Sequence, residues 1–154
     1  LRDLSTAQER LGTQAMNAGD FAGAAAAFAE TLEVARQLVA LDPSNADRQR
    51  DLTIALDRLG DLAVRQGDWA GAAGYYAQSF EMTRAKADSD PQNAEWQFDL
   101  VAGLVRMAMF DAAPRVKLEE ARDILLRLEA EGRVDPARLG WRKLVEDLLA
   151  QQAP

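Results

Sequence analysis

The chain has 154 residues, of which 48% are hydrophobic, carries a net charge of −7 and contains neither Cys nor His. That length and apolar content suffice for one buried core, while the missing residue types exclude disulfides, thiolate or imidazole metal ligands, Cys nucleophiles and the commonest general base. The acidic balance, with Lys and Arg scattered rather than clustered, argues against a phosphate backbone as ligand and favours basic or neutral polypeptide partners.

The sequence opens at Leu1 without an initiator Met and inside a first helix that has no cap before it, so it reads as a piece of a longer polypeptide. Residues 3–50 laid over 51–98 without a gap share 21 of 48 positions. A repeat protein is therefore expected. Leu11-Gly12 returns as Leu59-Gly60, Gly19-Asp20 as Gly67-Asp68, and Asp42-Pro43 with Asn45-Ala46 as Asp90-Pro91 with Asn93-Ala94.

The first unit spans about 1–43 and the second about 44–91. In the second, Leu52, Leu56, Leu59 and Ala63 step by three and four, as do Trp69, Ala72, Tyr76, Phe80 and Thr83, so each unit reads as two helices. Gly67 is a natural left-handed residue to end the first of them, and Asp68 can cap the second. Asp90-Pro91-Gln92-Asn93 then stops that helix and caps the next.

A third, degenerate unit covers about 92–136 and ends at Asp135-Pro136. It places Asp111 where the other units have Ala, and Ala112-Ala113-Pro114 where they have the Gly-Asp turn. Trp141 then matches Trp96, five residues after a proline in each case. The segment 137–151, with its helix from Trp141 to Gln151, reads as the first helix of an uncompleted fourth unit that caps the stack.

Leu59-Gly60, twelve residues before Ala72, followed by Tyr76 and Pro91, resembles the tetratricopeptide repeat, as do Leu11, Gly12, Ala24, Phe28 and Pro43 in the first unit. The resemblance implies an all-α, right-handed solenoid of antiparallel helical hairpins, about three of them plus the capping helix, within one domain. The family repeats every 34 residues and this chain every 48. Seven residues added to each helix are about two turns, which keep the apolar face in register and give helices of about 20 residues. Gly12, Gly60, Ala24 and Ala72 are then small because two helices pack closely there.

The resemblance also implies that first helices line a concave groove that binds peptides or helices. Candidate groove residues are Thr6, Glu9, Arg10, Thr13 and Asn17 in the first unit, Asp57, Arg58, Asp61 and Arg65 in the second, and Val105, Arg106 and Met109 in the third. One end of this surface is polar and the other more apolar. Arg10, Arg58 and Arg106 also recur seven residues after Asp3, Asp51 and Asp99, as a ladder suited to brace neighbouring units.

Asp88, Asp90, Gln92 and Asn93 lack the turn glycine and long bidentate Glu of a calcium loop and are read as capping residues. No spacing supplies a catalytic set, so no enzyme, cofactor, metal, membrane or nucleic-acid function is expected. The expectation is a cytoplasmic protein–protein interaction scaffold, the C-terminal part of a bacterial multidomain protein. Self-association through the unpaired edge of Leu4, Leu11 and Ala15, regulating a fused effector or nucleotide-hydrolysing module, is the alternative. Trp69 and Trp96 are expected to pack in the core, and Tyr75 to lie outside it.

Overall fold

A computed structural model describes the backbone of residues 2–152 and the side chains of residues 7–152. The described residues form α1 (Arg2–Asn17), α2 (Phe21–Leu41), α3 (Ala46–Gln66), α4 (Trp69–Ser89), α5 (Ala94–Ala108), α6 (Pro114–Ala130) and α7 (Trp141–Gln151), with a 3-10 turn at Pro136–Arg138 and no strand. No helix among them is long and apolar enough to cross a membrane.

The turn chemistry follows the sequence closely. Gly19 and Gly67 have φ of 80° and 75°, the left-handed conformation that a side chain disfavours, and Gly67 N–H reaches back to the Ala63 and Val64 carbonyls. Asp20 and Asp68 accept from the Gly23 and Gly71 amides at 2.9 Å, capping α2 and α4. Asn45 and Asn93 cap α3 and α5 in the same way, at 3.1 and 3.2 Å.

Helix lengths match the expected 20 residues only in part. The helices α2, α3 and α4 each have 21 residues, but α5 has 15 and α6 has 17. The shortening has a local cause in the third turn, where no Gly-Asp pair is present. Asp111 replaces it, accepting from Ala113 N at 2.9 Å and pairing with Lys117, while Pro114 opens α6. Lys117, which donates to it, holds the Asp111 carboxyl below the usual carboxylate range. The terminal helix runs from Trp141 to Gln151 as expected, and residues 136–138 before it form the 3-10 turn.

Contacts divide the chain into two compact units, Leu1–Met82 and Thr83–Pro154, with the division inside α4. In the first, α1 packs on α2 and α2 on α3 around Phe28, Leu32, Leu56 and Leu59. The helices run antiparallel. Gly12 meets Phe28 while Gln8 meets Glu30, and Asp61 meets Tyr76 while Thr53 meets Ser79.

Two side chains, Trp69 and Tyr75, depart from expectation. Trp69 is 55% exposed rather than packed, because as the first residue of α4 it precedes the turn that meets α3. Leu11, on the edge expected to be unpaired, is 55% exposed, whereas its counterpart Leu59 is 7% exposed. In α3 the equivalent position packs in the core together with residues of α2. Tyr75, expected outside the core, is half-buried and packs against it.

In the second unit α5 packs on α6 and α6 on α7, enclosing Phe98, Val101, Leu104, Leu125, Leu128 and Val145. Trp96 is buried, as expected. The buried Gln97 amide donates to the Ala87 carbonyl at 3.0 Å and accepts from Arg127 at 2.6 Å, so its polar atoms are satisfied inside the unit.

Arg84 grips both carboxylate oxygens of Glu120 across α4 and α6. That bidentate hydrogen bond holds the Glu120 carboxyl below its ordinary range. A carboxyl depressed in the folded state adds stability above its unfolded pKa and loses it as pH falls through the folded pKa. With both side chains about one-third exposed the contribution is on the order of 0.2–1 kcal/mol. Glu120→Gln should therefore lower the urea midpoint at pH 7 and lose less of its stability than the parent on acidification. Identical losses in the two proteins would show the pair to be inert.

Candidate functional site

Of the expected groove residues, four line a cleft in the first unit and two line a groove in the second. In the first unit Glu9, Arg10, Thr13 and Arg58 line one cleft of about 410 Å³ together with Gln14. Arg58 Nε donates to Glu9 Oε1 at 3.0 Å, and Asp61 lies 3.9 Å from the same guanidinium. The bridge from α3 to α1 is thus made through Glu9, a residue expected on the groove surface rather than in a brace. Thr13 turns its hydroxyl back onto the Glu9 carbonyl at 2.9 Å. Asn17 and Arg65 are exposed at the ends of α1 and α3, Asp57 is half-buried, and the side chains of Asp3, Leu4 and Thr6 lie outside the described residues.

Asp61 has an internal role. Tyr76 donates its hydroxyl to Asp61 Oδ1 at 2.6 Å across the α3–α4 pair. At the equivalent place in the α1–α2 pair, Phe28 has no hydroxyl and the residue 48 positions before Asp61 is Thr13. Donor and acceptor have changed together. Removing the hydroxyl by Tyr76→Phe should cost about 1.5 kcal/mol, since hydrogen bonds to charged groups are stronger than neutral ones. Tyr76→Phe combined with Asp61→Thr, which copies the first unit's pair, should recover most of that loss in a urea titration; additive losses would show that the two residues act independently.

In the second unit Val105 and Arg106 line a groove of about 220 Å³ between α5 and α7, with Val101, Ala102, Trp141 and Leu144 completing its walls over the buried Val145. Met109, expected on the same helix face, is 60% exposed in the turn beyond the end of α5. The volume is below the roughly 300–1,000 Å³ of small-molecule sites, and the walls offer almost no polar group to orient a cofactor.

Leu144 and Gln14 are site residues that the repeat pattern does not single out, and Trp141, which it matches to Trp96, was not assigned to a groove. A signal for Leu144 is nevertheless present: it stands three residues after Trp141, where Asp99 stands three after Trp96 and Asp51 three after Arg48. Val105 likewise occupies the register of Asp57 and Glu9. Acids of the earlier units have become apolar side chains at the groove, and Leu144 is 56% exposed there.

The base of α7 is fixed by a cluster around Phe98. Trp141 meets its ring edge-on with centroids 5.8 Å apart, and the Arg138 guanidinium lies 4.4 Å from its centroid. Arg138 is held in turn by both oxygens of Glu95 at 2.9 Å. Arg142 bridges Glu129 of α6 and Glu146 of α7. These contacts seat α7 against α5 and α6 and so form one wall of the groove.

Among the described residues no three His, Cys, Asp or Glu side chains come together to hold a metal ion. Comparison with protein-family models, with curated proteins and with solved structures finds no match to this chain.

Proposed function

We propose that this chain is a non-enzymatic protein-interaction module of tetratricopeptide type, a right-handed solenoid whose helical pairs present a surface for a peptide or helix of another protein. The observation that carries the reading is the apolar groove between α5 and α7, where Val105 and Leu144 stand in registers that hold acids elsewhere in the chain. An exposed leucine in the register of an aspartate adds little to folding, but it suits an apolar anchor side chain of a partner. The groove has room for one or two such side chains.

The test is a selection of random peptides on the intact chain, followed by affinity measurement on Val105→Asp/Leu144→Asp, which restores the acids of the earlier units. Selected peptides should lose at least about tenfold in affinity, or about 1.4 kcal/mol. The melting temperature should shift little, because neither position is fully buried. Peptides that bind both proteins equally would remove the groove from the reading.

Self-association is a second reading, favoured by the exposed Leu11 on α1. Gln8 and Gln14 temper it, since they stand where the buried Leu56 and Leu62 stand in α3 and make α1 more polar. Light scattering over a concentration series distinguishes the two: a mass that doubles with concentration and reverts in Leu11→Gln favours association.

A further inference from the structure

We draw no further inference here: the strongest candidate, the apolar groove between α5 and α7 walled by Val105, Trp141 and Leu144, belongs to the site already described, and nothing in the structure shows what covers it.

Discussion

Gly60→Leu should lower the stability of the first unit by about 3 kcal/mol or more and broaden or abolish its cooperative unfolding. The Cβ alone would lie within 3.0 Å of three atoms of the Tyr76 ring. That ring cannot swing aside, because it is 4% exposed and its hydroxyl is tied to Asp61. Overpacking of this kind typically costs about 1–3 kcal/mol, and the rest of the leucine side chain extends beyond the one carbon that already collides. Gly74→Ala is the internal control. It lies in α4, the helix that carries Tyr76, with nothing within 4 Å of an added methyl group, and its counterpart in the first unit is already Ala26. There the loss of glycine's backbone freedom should dominate, with a gain of about 0.5–1 kcal/mol. Urea titrations should move the midpoints of the two variants in opposite directions. Equal shifts would mean that Tyr76 does not fill the space beside Gly60.

Phe98→Ala should cost about 3–5 kcal/mol, the range for removing a buried aromatic ring. Phe98 is 1% exposed, and its ring makes a T-shaped contact with Trp141 and carries the Arg138 guanidinium over its face. The variant therefore loses core volume and the surface on which α7 is seated. Hydrogen exchange should show amides of α7 losing protection by a larger factor than those of α2, which belongs to the other compact unit. Leu126→Ala, at a residue 44% exposed, should change stability by no more than about 0.5 kcal/mol. If α7 kept its protection in Phe98→Ala, the aromatic cluster would not be what holds it.

Much of the helical layout was legible because it rests on short-range chemistry. Gly67 and Asp68, or Asn93 after Pro91, fix their turns through backbone conformation and one local hydrogen bond each, and the sequence carries both partners within three residues. The third turn was harder because Asp111 works through Lys117, six residues away, in a pattern no other unit repeats. Site geometry was less legible for a similar reason. Assigning Glu9, Arg10, Thr13 and Arg58 to one surface followed from the family resemblance and the 48-residue register, and the structure brings those four together. The contribution of Leu144 depends on how α7 docks through Phe98 and Arg138, which are long-range contacts. Trp69 shows the limit of transferring a role by register, since its counterpart Phe21 packs against the core while Trp69 is mostly exposed.

The matched exchange of Phe28 and Thr13 for Tyr76 and Asp61 bears on how two near-copies find their own partners. With 21 of 48 positions identical, α1 could compete with α3 for α4 during folding, since both offer a glycine to a ring. A wrongly matched Tyr76 would face Thr13 instead of a carboxylate, and a wrongly matched Phe28 would leave Asp61 without its hydroxyl donor. Each error gives up the charge-assisted hydrogen bond that the correct match makes. One oxygen atom, moved between otherwise similar rings, thus labels which helix belongs with which.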